Sequence, residues 1–209
     1  EGPDGVVVYD AGEKGMADAI ERAAAPLGGI TAVVLGHADT DHRGAAPKLA
    51  ARGYPVLCHP DAVAYAEGRG GREYWQPHLL PLGVRSFHAL LHRFVWDGGP
   101  VTISDTVEAG DDVAGFRVVA LPGHAPGLIG LWRERDRLAL VSDCFYMTDM
   151  WGHDQDPSLP LEAYNVDSDT ARGSIRALAD LDPLVVWPGH RGPLEGPDVV
   201  AQLRRAADG

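Results

Sequence analysis

The stretch Gly36-His37-Ala38-Asp39-Thr40-Asp41-His42 decides which fold and which chemistry this sequence favours. Within six residues it holds four potential metal ligands, namely His37, Asp39, Asp41 and His42. It directly follows the apolar run Ile30 to Leu35, which is typical of a strand buried on both faces. Imidazole and carboxylate groups together suit zinc, iron, manganese and related ions. Taken alone, the stretch is also compatible with a solvated acidic turn.

Three later strand ends carry further potential ligands. Two of them have nearly the same sequence, Leu121-Pro122-Gly123-His124 and Trp187-Pro188-Gly189-His190, each after an apolar strand. Pro and Gly favour a sharp turn, which would direct the imidazole back across the strand ends. Asp143 ends a third apolar strand, Leu138 to Val141. We therefore expect these side chains to converge with the cluster that begins at His37.

Strand-like and helix-like segments alternate through the first sixty residues. Strands are predicted over Val6 to Tyr9, Ile30 to Leu35 and Pro55 to His59, and helices over Met16 to Ala25 and Ala45 to Arg52. This alternation predicts a layered α/β arrangement. With 209 residues, the chain is expected to form one domain spanning residues 1–209.

Residues from about 61 to 100 interrupt the alternation. This segment is rich in aromatic side chains, namely Tyr65, Tyr74, Trp75, Phe87, Phe94 and Trp96. We interpret it as an inserted helical or looping cover over the core. Its aromatic residues would either form the interior of that cover or line a substrate pocket.

The second half predicts further strands and two helices. Short antiparallel strands are expected over Val101 to Ile103, Thr106 to Glu108 and Phe116 to Leu121, and a hairpin over Leu128 to Trp132 and Arg137 to Ser142. Another strand is expected over Leu184 to Trp187, and helices over Asp169 to Asp180 and Pro197 to Ala207.

The composition limits the classes of partner. The chain has 30 acidic and 18 basic side chains and a formal charge of -12, which argues against nucleic acids and anionic membranes as partners. No apolar run approaches the roughly 20 residues that span a bilayer. With no signal peptide recognised at the start, a cytoplasmic location is expected. A small-molecule substrate is the expected partner, and nothing in the sequence indicates the oligomeric state.

The order of these motifs resembles the metallo-β-lactamase superfamily. The set His-x-Asp-x-Asp-His, then Gly-His, then Asp, then Pro-Gly-His covers nearly the whole chain, and the early turn Asp10-Ala11-Gly12 fits the same pattern. The resemblance implies a four-layer αββα sandwich with two divalent metal ions at one edge of two facing sheets. It also implies a first metal on His37, Asp39 and His124, a second on Asp41, His42 and His190, and Asp143 bridging both.

The sequence departs from the family pattern at Asp39, where the family normally has His. Flavodiiron proteins of the same superfamily carry Glu there, so a carboxylate is compatible with metal binding. Two divalent ions carry four positive charges, of which Asp39, Asp41 and Asp143 would offset three. Zinc is expected first, but the extra carboxylate should favour iron or manganese more than an all-histidine site does. A loosely held first metal is the alternative.

The resemblance implies a metallo-hydrolase in which a metal-bound hydroxide cleaves a small carboxyl-derived substrate: an ester, lactone, thioester or β-lactam. Asp41 would orient the hydroxide as well as bind metal. Tyr146 would donate a hydrogen bond to the oxyanion or leaving group, or else be a packed aromatic residue at a strand end. A non-hydrolytic di-iron oxidoreductase and a degenerate, non-catalytic metal-binding domain are the alternatives.

Overall fold

The first of two main sheets is built from the N-terminal half of the chain. The computed structural model describes residues 5–71 and 75–209. The strands of the first sheet are β1 (Val6–Tyr9), β2 (Ile30–Val34), β3 (Val56–Cys58) and β4 (Asp105–Thr106). They lie in this order and every neighbouring pair is parallel.

The second sheet takes its strands from the C-terminal half. They are β5 (Asp112–Val113), β6 (Phe116–Ala120), β7 (Ile129–Arg133) and β8 (Leu138–Ser142), and later β11 (Val185–Pro188) and β12 (Leu194–Glu195). Between these two groups, β9 (Tyr146–Thr148) and β10 (Asp154–Ser158) form a separate antiparallel pair. The order in the large sheet is β12-β11-β8-β7-β6-β5, antiparallel except for the parallel pair of β8 and β11. The predicted hairpin of β7 and β8 is confirmed.

Helices flank both sheets. They are α1 (Ala17–Ala24), α2 (Thr40–Arg43), α3 (Ala46–Ala51), α4 (Pro60–Ala66), α5 (Leu82–Leu91), α6 (Ser168–Asp180) and α7 (Val199–Asp208). A π-helical turn, His92–Trp96, continues α5, and single 3-10 turns occur at Ala25–Leu27, Pro77–Leu79, Glu134–Asp136 and Glu162–Tyr164. Among the described residues, none of the helices combines the length and the apolar character needed to cross a bilayer.

Strand alternation separates the interior into three packed layers, because successive side chains point to opposite faces of a sheet. In β2, Val33 packs with Leu49 of α3 on the outer face, whereas Val34 packs between the sheets. In β8, Val141 packs with Ile175 of α6, whereas Leu140 lies against the cluster between the sheets. Two helix–sheet layers and one sheet–sheet layer confirm the predicted four-layer αββα sandwich.

The prediction for the segment before β4 was wrong. Val101 to Ile103 forms no strand, because the amide of Val101 donates to the carbonyl of Ala66 and that of Ile103 to the carboxylate of Glu67. These hydrogen bonds tie the segment to the end of α4 rather than to a sheet. β4 then pairs in parallel with β3, not in the antiparallel arrangement expected.

Residues 61–100 differ in how tightly they pack. Helix α4 lies on the first sheet, where Ala62 and Ala66 are fully buried. Helix α5 buries only Val84 among its ten residues, and its other side chains border a pocket or are exposed. Tyr74, one of the aromatic residues of this segment, lies outside the described residues.

Candidate metal centre

The seven predicted ligands meet at one edge of the sandwich. His37 and Asp39 lie in the turn after β2, and Asp41 and His42 lie in α2, which begins where the amide of His42 donates to the carbonyl of Asp39. The remaining three follow strands of the second sheet: His124 after β6, Asp143 after β8 and His190 after β11. Strands β6, β8 and β11 run in the same direction, so their carboxyl ends reach the same edge.

Two histidines and two aspartates form a first group. Nε2 of His37 lies 3.5 Å from Oδ2 of Asp39 and 3.9 Å from Oδ2 of Asp143. Nε2 of His124 lies 3.6 Å from each of the same two oxygens. His37, His124 and Asp143 are buried and offer one ligand atom each within a space that could hold a metal ion.

A second group adjoins the first through Asp143. Nε2 of His42 lies 3.3 Å from Nε2 of His190 and 3.2 Å from Oδ1 of Asp143. Oδ2 of Asp41 lies 3.5 Å from Nε2 of His190 and 3.9 Å from Nε2 of His42. Asp41, His42 and His190 could therefore hold a second ion, with Asp143 between the two groups.

Outside the predicted set, Asp10 and Ser142 orient two of these histidines. The hydroxyl of Ser142 donates to Oδ2 of Asp10 at 2.6 Å and lies 3.0 Å from Nδ1 of His37. Since its hydrogen is given to Asp10, the hydroxyl accepts one from Nδ1 of His37. Oδ2 of Asp10 also lies 3.0 Å from Nδ1 of His42. In both histidines the proton thus belongs on Nδ1 and the lone pair on Nε2, facing the cluster.

Asn165 has the same effect on His124. The amide nitrogen of Asn165 donates to the carbonyl of Pro160 and to Oγ of Ser168, which turns its oxygen toward Nδ1 of His124 at 3.3 Å. In the sequence, Asp10 is part of a turn and Ser142 is the end of a strand, and neither position predicts a contact with the histidines. Asn165 lies 41 residues from His124 and has no local signal.

The buried nitrogens test whether metal fits this site. Nε2 of His37 and Nε2 of His124 are buried and have no hydrogen-bond partner among the described residues. In its neutral form each presents a lone pair to carboxylate oxygens 3.5–3.9 Å away, so acceptors face acceptors unless a proton or a metal ion lies between them. Burying such groups without a partner is costly, and a cation between them removes the cost. The donor set of imidazole nitrogen and carboxylate oxygen fits zinc, iron or manganese.

The surrounding charges keep the buried carboxylates ionised, as metal ligands must be. Burial by itself disfavours the charged form of Asp143, but His42 and His190 hold the pKa of this carboxyl well below its usual range. For Asp39, burial is likewise outweighed by His37 and His124, and its pKa is also held well below the usual range. The extra carboxylate is therefore an anionic group of the cluster.

Tyr146 lies against the cluster from the pocket side. Its hydroxyl donates to Oδ2 of Asp143 at 3.0 Å, and its ring meets the rings of His124 and His190 edge-on. Burial, and then the charge of Asp143, raise the pKa of Tyr146 well above its ordinary value. The side chain is thus a neutral phenol and a hydrogen-bond donor.

A cavity of about 1060 Å³ opens onto the cluster. Its aromatic lining comprises Tyr65, Trp75, Phe87, Trp96, Tyr146, Trp151 and Tyr164. Four of these belong to the segment 61–100, so the aromatic residues of the cover contribute to the pocket wall. Tyr65 also packs against the core cluster on the first sheet, and Phe94 is 61% exposed.

Comparisons with known proteins agree with the geometry. The sequence model described as "Metallo-beta-lactamase superfamily" matches residues 1–190. The chain is 27% identical over 223 residues to "Probable metallo-hydrolase YflN" of Bacillus subtilis (strain 168), covering 99% of this chain and 83% of that protein.

Two solved structures share the fold. TTHA1623 in a di-iron-bound form aligns with a TM-score of 0.69 and 24% identity, over 99% of this chain and 90% of that one. The metallo-beta-lactamase family protein TTHA1429 from Thermus thermophilus aligns with a TM-score of 0.65 and 23% identity, over 100% and 70%. From the match over residues 1–190, it follows that this chain belongs to the metallo-β-lactamase superfamily.

Proposed function

We propose that this protein is a metal-dependent hydrolase that cleaves a small carboxyl-derived substrate, namely an ester, lactone, thioester or β-lactam. The observation that carries the proposal is the convergence of seven imidazole and carboxylate groups beneath an aromatic pocket. These groups belong to His37, Asp39, Asp41, His42, His124, Asp143 and His190.

The two groups of side chains would hold two divalent ions. His37, Asp39 and His124 would bind the first, Asp41, His42 and His190 the second, and Asp143 both. Such ions supply Lewis acidity and lower the pKa of water toward roughly 7. Zinc is the first expectation, and the third carboxylate, Asp39, favours iron or manganese as alternatives.

Asp41 is suited to orient the attacking water. Both Asp41 and Asp143 border the pocket, but the side chain of Asp41 is 20% exposed and that of Asp143 only 3%. Oδ2 of Asp41 faces His190 and His42, and the second oxygen would accept a hydrogen bond from water. We therefore assign Asp41 both ligand and orienting roles, in which it aims the water at the substrate carbonyl.

Tyr146 is suited to bind the oxygen on which negative charge develops. Its phenol is neutral, lines the pocket and points its hydroxyl at the cluster. By turning that hydroxyl from Asp143 to the substrate oxygen, it would stabilise the transition state more than the ground state.

The pocket favours a small, largely apolar substrate. Aromatic walls around a few convergent polar groups are typical of small-molecule sites. The formal charge of -12 gives no support for a nucleic-acid phosphodiester as substrate. We therefore propose that acyl compounds are cleaved in preference to phosphodiesters.

A di-iron oxidoreductase is the second candidate. It is favoured by the carboxylate of Asp39 in the first group, and by the similarity of the chain to TTHA1623, which was solved in a di-iron-bound form. Iron held by the same ligands would make redox chemistry available.

Metal analysis and a substrate panel separate the candidates. We expect about two metal ions per chain from the two ligand groups, and hydrolysis of at least one ester, lactone, thioester or lactam. Asp41→Ala should abolish that hydrolysis, whereas Asp61→Ala, at a side chain that is 76% exposed, should not. Iron with a visible absorption band and no hydrolysis would favour the oxidoreductase. A protein that binds no metal would overturn both proposals.

A further inference from the structure

Ser142 lies at the centre of a buried hydrogen-bond network behind the candidate metal centre. It is 1% exposed and ends β8, immediately before Asp143. Its Oγ lies 2.6 Å from Oδ2 of Asp10, 3.0 Å from Nδ1 of His37 and 3.3 Å from Nδ1 of His42. One hydroxyl is thus within hydrogen-bond distance of two of the candidate metal-binding histidines.

The direction of each hydrogen bond follows from which groups can donate. An ionised carboxylate only accepts, and Oδ2 of Asp10 faces two groups that can donate, the hydroxyl of Ser142 and Nδ1 of His42. The single hydrogen of Ser142 therefore goes to Asp10, and the oxygen of Ser142 accepts from His37. The other oxygen of Asp10 accepts from the amide of Gly36 at 2.7 Å, which fixes the carboxylate in place.

The backbone of Asp10 and that of Ser142 both have an unusual conformation. Asp10 has φ 59° and Ser142 has φ 46°, in the left-handed region. Aspartate enters this region more readily than most residues, whereas a serine there is uncommon and persists where the surrounding structure holds it in place. The backbone of Gly36 also passes close to Ser142. A Cβ built on Gly36 would lie only 2.7 Å from Cβ of Ser142.

We propose that Ser142 is a positioning residue that fixes the tautomer of His37 through Asp10, the carboxylate that also orients His42. The hydrogen bonds of Ser142 and Asp10, here called the relay, would thus fix the tautomer of one histidine in each of the two ligand groups. Without the hydroxyl, Nδ1 of His37 loses its acceptor, and the proton can move to Nε2, where it blocks the ligand lone pair. His42 keeps its direct bond to Asp10, so the first ligand group should suffer more than the second.

Two variants and one control test the relay. Ser142→Ala and Ser142→Gly both remove the hydroxyl, but the glycine also relieves the left-handed backbone, so it should remain folded. Ser104→Ala removes a hydroxyl that accepts from the amide of Val56, away from the cluster. The tautomer of His37 is read in metal-free protein from long-range ¹H–¹⁵N spectra above the ordinary histidine pKa. Its signals are assigned by their loss in His37→Gln.

We expect His37 to carry its proton on Nδ1 in the unsubstituted protein and in Ser104→Ala, and largely on Nε2 in both Ser142 variants. In competition with a chromophoric chelator, the affinity of one site for Zn²⁺ should fall by about 10–100-fold in those variants. The far-UV circular dichroism spectrum of metal-free Ser142→Gly should match that of the unsubstituted protein at the temperature of these measurements. This last readout separates positioning from a general loss of structure.

An Nδ1 proton on His37 in both Ser142 variants, with zinc affinities within about twofold of the unsubstituted protein, would overturn the relay. The inference rests on the proposed function only for its zinc readout. If the unsubstituted protein bound no metal ion at all, the proposed function would fail, and the tautomer of His37 would still decide for or against the relay. If it bound zinc and the variants bound it equally, the relay alone would fail.

Discussion

The phenol of Tyr146 and the carboxylate of Asp143 are joined by a hydrogen bond of 3.0 Å to Oδ2. The same oxygen lies 3.6 Å from Nε2 of His124 and 3.5 Å from Nε2 of His190, one from each ligand group. Tyr146 thus contacts the one carboxylate that the two groups share. Its hydroxyl withdraws charge from that carboxylate, and in the proposed mechanism it would turn instead to a substrate oxygen.

Replacing Tyr146 by Phe removes this donor and keeps the ring. We expect Tyr146→Phe to retain both metals and to lower kcat by about 100-fold, the usual effect of losing one oxyanion donor. Steady-state kinetics on the substrate that the panel identifies, together with metal analysis, check this. An unchanged kcat would reduce Tyr146 to a packed aromatic residue.

The division of the ligands into two groups predicts distinct metal contents. His124→Ala should lose the first ion and His190→Ala the second, whereas Asp143→Ala should weaken both, because its carboxylate lies between the groups. Elemental analysis after dialysis measures the three contents. Loss of the same ion from His124→Ala and His190→Ala would contradict the division.

Asp39 sets the charge of the first ligand group. Asp39→His should keep a metal there but raise the preference for zinc over manganese, since imidazole replaces a hard carboxylate oxygen. Competition between the two ions, followed by elemental analysis, measures this preference. An unaltered ratio of zinc to manganese would contradict the assignment of Asp39 as a ligand.

Gly189 leaves the space that the cluster needs. A Cβ at this position would lie 2.2 Å from Oδ1 of Asp143 and 2.5 Å from Cε1 of His42. Gly189→Ala should therefore reduce metal content and hydrolysis. As a control, Gly173→Ala in α6 meets nothing within 4 Å and should stabilise the fold by about 0.5–1 kcal/mol. Full metal content in Gly189→Ala would contradict this packing.

Phe87 lies on the pocket face of α5, and Leu90 lies on its outer face. Phe87 lines the cavity, whereas Leu90 is 57% exposed and does not. Phe87→Ala should raise KM for an apolar substrate by about tenfold, which corresponds to roughly 1.4 kcal/mol of lost contact, with little change in kcat. Leu90→Ala should change neither constant. Equal effects of both substitutions would place the substrate elsewhere.

Local sequence was a good guide to the elements that carry the ligands. The apolar runs before His37, His124, Asp143 and His190 predicted the strands correctly, because a buried strand has a continuous run of apolar residues. The prediction failed at Val101 to Ile103. There the β-branched side chains pack against the core as those of a strand would, but the backbone amides donate hydrogen bonds to the end of α4 and not to a sheet.

The sequence by itself determined the layered α/β class and the seven candidate ligands, since strand period, turn residues and ligand types are properties of short segments. Only the tertiary structure decided which side chains orient those ligands through hydrogen bonds. Asp10 and Ser142 lie 132 residues apart, and His124 and Asn165 lie 41 apart. A hydrogen bond between distant segments produces no recognisable sequence pattern in either segment, because it depends on where folding brings the ends of the strands.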